Sequence, residues 1–311
     1  FGAESHYTSL AELQEAVRTV HEHGGLITVT LNAHQHRAEQ LDLIERAVRE
    51  IEQCEPDGYI VADPAIIVQL REWGVERPLH LSTGVGSFNS ETVRYCCSLG
   101  NVERVVVPRK MSFREIRTLT DDLADLGLEF EAMVLGYRCL FNDEYCFTWH
   151  CSPGCDFCKH FPYSQKSVLP RFPDDWKDRL KKMLAAPEDQ LEEGSFLDRF
   201  VKEFLSQERR ELRPLSKMVK PGEEAEPPEG LSRPVAHELY QNCGLCSIEA
   251  LREAGVNVLK LPSRGLGRLK LRSPEILRKL LEAPEVSPRQ CRELIDSPDF
   301  CDSPGSCYYS R

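Results

Sequence analysis

The chain has 311 residues, of which 41% are hydrophobic and 29% charged, and its formal net charge is −11. This length and composition predict a globular protein with one large α/β domain or two ordinary ones. No run of about 20 apolar residues is present, so no transmembrane helix is predicted. The acidic balance disfavours non-specific binding to nucleic acid.

Strand and helix patterns alternate through the first half of the chain. Apolar, β-branched runs predict strands, and apolar residues at helical spacing predict helices. The predicted strands are 26–32, 58–63, 78–83, 103–108 and 128–136, and the predicted helices are 8–23, 38–53, 64–74, 89–99 and 112–127. This alternation predicts a parallel sheet covered by helices.

The alternation of strands and helices stops after the cysteine block, which ends at Cys158. Residues 162–235 contain two charged helical stretches and a tail rich in Pro, Gly and Glu, which predict an insertion ending in a linker. The α/β pattern then resumes with a helix and a sixth strand at 256–261. We therefore divide the chain into four parts: 1–160 as the first part of a barrel with a cysteine block, 161–235 as the insertion, 236–273 as the closing part, and 274–311 as a cysteine-containing extension.

Polar residues follow the predicted strands at the point where each strand ends. They are Asn32, Asp63, Ser82 with Thr83, Arg109, Cys139 and Arg264. In a parallel α/β barrel the active site lies at the carboxyl ends of the strands. Any one of these residues alone is better explained as a loop cap or a solvated charge. Their recurrence after six strands favours a site.

Thirteen cysteines are present, and five of them fall between Cys139 and Cys158. An odd number cannot all pair within the chain, so the composition favours a reducing, cytoplasmic compartment and a bound metal. Cys139, Cys146, Cys155 and Cys158, together with Cys246 at the start of a later helix, can bring thiolates to one point. Thiolates suit both an iron–sulfur cluster and zinc.

Two other interpretations of these thiols stay open. Cys155 and Cys158 could join Cys243 and Cys246 in a zinc ribbon, although the intervening segment is long for one. Alternatively, Cys151, Cys155 and Cys158 have the spacing of a radical S-adenosylmethionine loop, although that motif normally follows the first strand of its barrel.

The remaining cysteines have plainer predicted roles. Cys54, Cys96 and Cys97 lie in helical patterns and are expected to be small core residues. Cys243 is expected to be a spare thiol beside Cys246. Three late cysteines either form a second metal site or pack locally, namely Cys291, Cys301 and Cys307.

Several segments resemble the collagenase-like peptidases, also called unclassified peptidase family 32. They are GYIVADPAIIVQLRE (58–72), HLSTGVGSFNSE (80–91), RVVVPRKMSFREI (104–116), EAMVLGYRC (131–139) and CGLCSIEALREAGVNVLKLPSR (243–264). The resemblance implies a TIM-type (β/α)8 barrel whose first two strands are absent from this chain. It differs from the family pattern at Leu135, Gly84 and Pro262-Ser263, which puts the substrate in doubt.

The resemblance also implies a chemistry. Several members carry a [4Fe–4S] cluster and take part in oxygen-independent hydroxylation of the ubiquinone ring or of RNA bases. It implies Cys139, Cys146, Cys155 and Cys246 as ligands, with Cys158 as an accessory one, and zinc is the alternative metal. Substrate binding is expected from a ring of polar residues: Asn32, Asp63, Ser82, Thr83, Asn89, Arg109 and Arg264.

Two alternative functions are weighed against hydroxylation. A peptidase needs a nucleophile with a base or an open metal site, and neither GxSxG nor HExxH occurs in the sequence. A non-catalytic, cluster-carrying subunit of a heteromeric complex is the other alternative. The expected partners are a small-molecule substrate or another protein subunit, with RNA ranked lower because the chain is acidic.

Overall fold

The computed structural model describes residues 9–33, 36, 38–136, 242–261, 269–283, 286–295 and 307–309. The strands in this part of the chain are β1 Thr28–Leu31, β2 Gly58–Val61, β3 Leu79–Leu81, β4 Val102–Val106, β5 Glu129–Met133, β6 Leu135–Gly136, β7 Asn242–Cys243 and β8 Val258–Lys260. The helices are α1 Leu10–Glu22, α2 Ala38–Glu52, α3 Pro64–Glu72, α4 Ser90–Leu99, α5 Phe113–Asp122, α6 Ile248–Glu253, α7 Leu269–Leu281 and α8 Pro288–Ile295.

Six of the described strands form one parallel sheet in the order β1-β2-β3-β4-β5-β8. Each strand lies beside the next one in this order, and parallel neighbours need crossover connections, which the helices supply. The sheet is curled, as in half of a barrel. The predicted α/β architecture with a parallel sheet is therefore confirmed, while closure into an eight-stranded barrel stays a prediction.

The helix-covered face of the sheet carries the hydrophobic core. Leu79 and Leu81 of β3 are buried there, and α3 contributes Ile66, Ile67 and Leu70, all fully buried. Burial of one such side chain stabilises the fold by about 1.5–3 kcal/mol. The strand alternation of β3 sends the residue between the two leucines to the opposite, inner face of the sheet.

Side chains that precede two strands fix those strands to their neighbours. Oδ2 of Asp57, just before β2, accepts a hydrogen bond from the Ile27 amide at 2.6 Å. Oδ1 of Asn257, just before β8, accepts one from the Phe130 amide at 2.8 Å. Each bond satisfies a backbone donor at a strand start, where the ladder has no partner for it.

The predicted strand 128–136 is two strands with different partners. Val134 lies between them: its amide donates to the Lys260 carbonyl at 3.0 Å, and its carbonyl accepts from the Gly244 amide at 2.7 Å. After this point β6 pairs antiparallel with β7, with Gly136 opposite Asn242. The two residues that flank the 137–241 segment, Gly136 and Asn242, are therefore neighbours beside the carboxyl end of β5.

Some predicted segments lie outside the described residues. They are the 161–235 insertion, the cysteine block from Cys139 to Cys158, and the starting FGA (residues 1–3), which resembles the end of the family's second strand. The predicted division of the chain at residues 160, 235 and 273 stays a prediction. Helix α7 runs across the last of these positions.

The described C-terminal residues pack against the same end of the sheet. The Tyr308 amide donates to the Cys243 carbonyl at 2.9 Å, and the Tyr309 hydroxyl donates to the Met133 carbonyl at 2.9 Å. The Tyr309 ring lies so close to Gly244 that a Cβ atom there would come within 2.8 Å of it. Residues 307–309 thus cover the junction between β5 and β7.

Within the described residues, no helix combines the length and the apolar character needed to cross a membrane.

Candidate functional site

The described members of the predicted polar ring lie at the carboxyl ends of their strands. Asn32 follows β1 and is half-buried, and Ser82 and Thr83 follow β3 and are buried. Asp63 follows β2, and Arg109 comes three residues after β4. These positions agree with a site at this edge of the sheet, and the role of each residue in substrate binding stays a prediction. Arg264 lies outside the described residues.

Three members of the ring have a clear local role as caps: Asn89, Ser82 and Asp63, of which Asp63 is described below. Oδ1 of Asn89 accepts from the Thr92 amide at 2.9 Å and caps the N-terminus of α4. Oγ of Ser82 accepts from the Gly84 amide at 3.3 Å at the start of a 3₁₀ turn, Thr83–Val85. Both side chains satisfy amides that a helix start would otherwise leave without a partner.

Arg109 reaches across from the end of β4 to the end of β5. Its Nε lies 2.7 Å from the sulfur of Met133. The thioether is a weak acceptor. The guanidinium therefore lies beside Met133, the last residue of β5. The carbonyl of the same residue accepts the hydrogen bond from Tyr309.

A group of hydrogen bonds at this edge joins His36 to Asp63. Oδ2 of Asp63 accepts two hydrogen bonds from His36, one from the backbone amide at 3.0 Å and one from Nδ1 at 2.9 Å. Oδ1 of Asp63 accepts from the Ala65 amide at 2.9 Å and caps α3. Both side chains are nearly buried. One carboxylate thus holds the loop after β1 against the start of α3.

The electrostatics of this pair fix the proton on one nitrogen of the imidazole. Burial by itself would raise the pKa of Asp63, but the hydrogen bonds from His36 and Ala65 outweigh it and lower the pKa to about 2. The carboxylate is therefore ionised at neutral pH and can only accept, so Nδ1 of His36 carries the proton. In the neutral imidazole Nε2 is then the acceptor, and no described residue hydrogen bonds to it. A carboxylate-oriented imidazole of this kind is a general-base arrangement.

Sequence reasoning missed His36 because it treated the histidines as scattered single residues. The available signal was its position a few residues after β1, with an aspartate directly after the neighbouring strand. It also missed Ser87, whose Oγ is fully buried and has no hydrogen-bond partner among the described residues. A buried hydroxyl normally has a partner in proteins.

One predicted metal ligand, Cys246, lies in the described residues. It is exposed, in the 3₁₀ turn Leu245–Ser247 that leads into α6. The other four are Cys139, Cys146, Cys155 and Cys158, and they lie outside the described residues. Within the described part, no group of three or more Cys, His, Asp or Glu side chains is arranged to hold a metal ion. The predicted ligand set therefore stays a prediction.

The cysteines expected in the core are found there. Cys54 and Cys96 are buried, and Cys97 packs against the core from a half-buried position. Burial raises the pKa of the Cys96 thiol to about 11. This thiol stays protonated at neutral pH and is not available as a thiolate ligand.

A comparison of the sequence with protein-family models relates this part of the chain to known proteins. Residues 3–156 match the model of Peptidase family U32. This part of the chain belongs to Peptidase family U32. The matched range contains β1 to β6, the His36–Asp63 pair and most of the predicted polar ring.

Curated relatives of the U32 domain are named for RNA hydroxylation. The tRNA hydroxylation protein P of Escherichia coli (strain K12) is 30% identical over 134 residues, which are 43% of this chain and 29% of the relative. The tRNA hydroxylation protein P1 of Bacillus subtilis (strain 168) is 30% identical over 138 residues, 44% of this chain and 32% of the relative. The 23S rRNA 5-hydroxycytidine C2501 synthase of Escherichia coli (strain K12) is 27% identical over 174 residues, 53% of this chain and 25% of the relative.

The matched part of the chain spans about a third or less of the length of these relatives. No solved structure gives a significant match. The U32 relationship is therefore shown at the level of one domain, and the activity of the complete protein is inferred below.

Proposed function

We propose that this protein takes part in the oxygen-independent hydroxylation of an RNA base. The observation that supports the proposal is the U32 domain, which the chain shares with relatives named for tRNA and 23S rRNA hydroxylation. The resemblance alone left a quinone ring and an RNA base as alternative substrates. The names of the relatives favour RNA, although the net charge of −11 had placed RNA lower. An RNA substrate suits the cytoplasm, and so do thirteen cysteines, an odd number that cannot all pair within the chain.

The carboxyl-end edge of the sheet supplies the groups that such a reaction needs. Hydroxylation of a base replaces a ring hydrogen by a hydroxyl group, which is a two-electron oxidation. Without O2, a hydroxyl-donor co-substrate must supply the oxygen atom and take up the electron pair, and a base must accept the ring proton. His36 is suited to accept it at Nε2, because Asp63 holds the ring in one tautomer and stabilises the imidazolium that forms. Asn32 and Arg109, at the same edge, are suited to orient the base by hydrogen bonds.

A [4Fe–4S] cluster is part of the proposal. The ends of the segment that contains four of its proposed ligands lie close to the fifth, Cys246. Gly136 pairs with Asn242, so the two residues that flank this segment are neighbours. Cys246 lies four residues beyond that point and is exposed. Thiolates are the ligands that iron–sulfur clusters take. Such a cluster would supply one-electron transfer at this edge, and zinc is the alternative metal.

Peptide hydrolysis is the weaker alternative. A general base of this kind serves a serine or cysteine protease only when a hydroxyl or thiol hydrogen bonds to it. Among the described residues, the hydrogen bonds of His36 go to Asp63, and no hydroxyl or thiol shares them. A third candidate, a non-catalytic subunit that carries a cluster, predicts that replacing His36 leaves the hydroxylation unchanged.

The function is tested on cellular RNA. Cells that lack the gene are compared with cells that produce the full-length protein, both grown without oxygen, and digested tRNA and rRNA are analysed by mass spectrometry. We expect one nucleoside that carries an added oxygen atom to disappear with the gene and return with it. An unchanged nucleoside profile would reject the RNA substrate. Loss of hydroxylated quinones in its place would support the ubiquinone branch.

The cofactor is tested separately on protein purified without oxygen. We expect iron and acid-labile sulfide in equal amounts, with a sharp loss of both when Cys139, Cys146, Cys155 and Cys246 are replaced together by Ser. Cys96→Ser is the matched control, because Cys96 is a buried core thiol. Stoichiometric zinc without sulfide would identify the alternative metal. Iron-free, metal-free protein with an intact fold would remove the cofactor proposal.

A further inference from the structure

The residues that follow β4 carry a group of cations in a chain that is acidic as a whole. The chain has 39 lysines and arginines against 50 aspartates and glutamates, yet residues 109–117 contain four cations and one carboxylate, that of Glu115. Arg109 contacts Met133 at the strand end. The other three cations follow in the next loop and on α5. We call these three the α5 basic surface: Lys110, Arg114 and Arg117.

Helix geometry brings two members of the surface together. Arg114 and Arg117 are three residues apart in α5, and this spacing places two Cβ atoms about 5–6 Å apart on one side of a helix. Both arginines are exposed, while Ile116 of the same helix is fully buried. Lys110 lies two residues before the N-cap Ser112 and is half-buried. The three cations therefore lie together around the start of α5.

Several cations elsewhere in the described part of the chain are held by carboxylates. Arg104 pairs with Glu129 and with the buried Glu131, which also pairs with Lys260. Ion pairs of this kind neutralise a cation inside the protein and leave little of its charge for a partner. The α5 basic surface is different in this respect.

The charges of the α5 basic surface are not neutralised by the described residues. No described carboxylate forms an ion pair with any of its three members. Glu115 is next to Arg114 in the sequence, but its Oε2 accepts from the amide and the hydroxyl of Ser112, each at 2.7 Å, in the capping box of α5. Like charges one turn apart repel and weaken a helix. The chain bears this cost where a polyanionic partner would remove it.

The surface lies within reach of the proposed reaction site. Lys110 directly follows Arg109, which is at the carboxyl-end edge of the sheet. β4 is three strands away from β1, and neighbouring strands are about 4.8 Å apart, so the end of β4 is roughly 14 Å from the end of β1. Stacked nucleotides rise by about 3.4 Å each. An RNA strand with one base at His36 can therefore place phosphates at α5 roughly four nucleotides away.

We propose that the α5 basic surface binds backbone phosphates of the substrate RNA, a few nucleotides from the base that reacts. The inference rests on the proposed function and adds to it the place where the RNA backbone is held. Contacts to phosphates position a nucleic acid without reading its sequence. The surface should therefore contribute affinity and register for any RNA, while the groups at the strand ends select the base.

The surface is tested by the binding of fluorescently labelled tRNA, purified from cells that lack the gene, to the full-length protein. Fluorescence anisotropy gives Kd over a series of salt concentrations. Each phosphate contact to a single strand contributes about 0.7 to the slope of log Kd against log salt, which is roughly fivefold in affinity at about 0.1 M salt. Lys110→Gln, Arg114→Gln and Arg117→Gln should each show this loss. The triple variant should bind roughly a hundredfold more weakly, with a slope lower by about 2.

Arg71→Gln is the matched control. Arg71 is also an exposed helical arginine, but it lies in the last turn of α3, away from the carboxyl-end edge where that helix starts. It should bind RNA as the wild type does, and all variants should unfold at the same urea concentration. Wild-type affinity in the triple variant, or an equal loss in Arg71→Gln, would overturn the inference. So would loss of a co-purifying protein in place of RNA, which would assign the surface to a protein partner.

The two proposals fail separately in these experiments. Anisotropy measures RNA binding without the reaction, whereas the nucleosides of cellular RNA measure the reaction itself. An unchanged nucleoside profile in cells that lack the gene rejects the proposed function, whatever the variants bind. A profile that changes as expected, together with wild-type binding by the triple variant, rejects the α5 basic surface alone.

Discussion

Nδ1 of His36 lies 2.9 Å from Oδ2 of Asp63, and this contact joins the loop after β1 to the end of β2. The same carboxylate accepts the His36 amide and, through its other oxygen, caps α3. One side chain thus serves both the stability of the sheet edge and the orientation of an imidazole. Substitutions of Asp63 and of His36 can therefore separate the contribution to stability from the contribution to the reaction.

Asp63 makes the stability of the protein depend on acidity. Its pKa is about 2 in the folded protein against an ordinary 3.8, so its contribution is present above pH 4 and is lost as the pH falls toward 2. The shift corresponds to about 2 kcal/mol of unfolding free energy. Asp63→Asn keeps a capping oxygen but should lose roughly this amount at pH 7 and little near pH 2. Urea unfolding across this pH range measures the difference, and a constant gap between variant and wild type would contradict it.

His36→Gln tests the role of the imidazole in the reaction. Loss of a positioned general base lowers a rate by roughly 10²–10⁴-fold, so the hydroxylated nucleoside should almost vanish from RNA in cells that produce this variant. The unfolding free energy should change by less than Asp63→Asn changes it, because the cap of α3 remains. His23→Gln is the control, since His23 is an exposed residue at the end of α1. Full activity of His36→Gln would remove His36 from the mechanism.

The two glutamates that share Arg104 should differ strongly in their contribution to stability. Glu131→Gln leaves Arg104 and Lys260 without their buried carboxylate, and breaking a buried pair costs about 3–5 kcal/mol. Glu129→Gln removes a half-exposed partner of the same arginine and should cost less than about 1 kcal/mol. Equilibrium unfolding in urea compares the two variants. Similar losses would mean that Glu131 is not buried between Arg104 and Lys260 as described.

Alanine substitutions at Gly255 and Gly74 distinguish the cost of backbone strain from the cost of steric overlap. Both have positive φ, 88° and 76°. A Cβ at Gly255 would lie 2.6 Å from Thr120 Oγ1, whereas one at Gly74 would meet nothing within 4 Å. Gly74→Ala should cost about 1 kcal/mol from strain alone. Gly255→Ala should cost at least about 1 kcal/mol more, because it displaces the Thr120 hydroxyl from the Ala254 carbonyl. Thermal or urea unfolding distinguishes the two, and equal losses would refute the overlap.

Much of the fold followed from local patterns, since buried strands and amphipathic helices have different periods. The strand 128–136 shows the limit of that reasoning. Its apolar run is continuous, yet Val134 divides it because its backbone groups bond to residues 244 and 260, far along the chain. Strand periodicity contains no information about such partners.

The positions of the candidate site residues at the strand ends were predictable, but their contacts were not. Polar residues after successive strands placed it at the carboxyl-end edge, because parallel strands end together. The His36–Asp63 contact depends on the path of the loop after β1, and the Glu131 ion pairs depend on the register of β4, β5 and β8. Both are tertiary facts that a single sequence does not contain.

The most direct test of the central claim is the nucleoside composition of RNA from cells grown without oxygen, with and without the full-length protein. The claim predicts a base with one added oxygen atom in RNA from cells that contain the protein, and its absence from RNA of cells that lack the gene. Identical RNA from both cultures, measured for tRNA and rRNA alike, would contradict it.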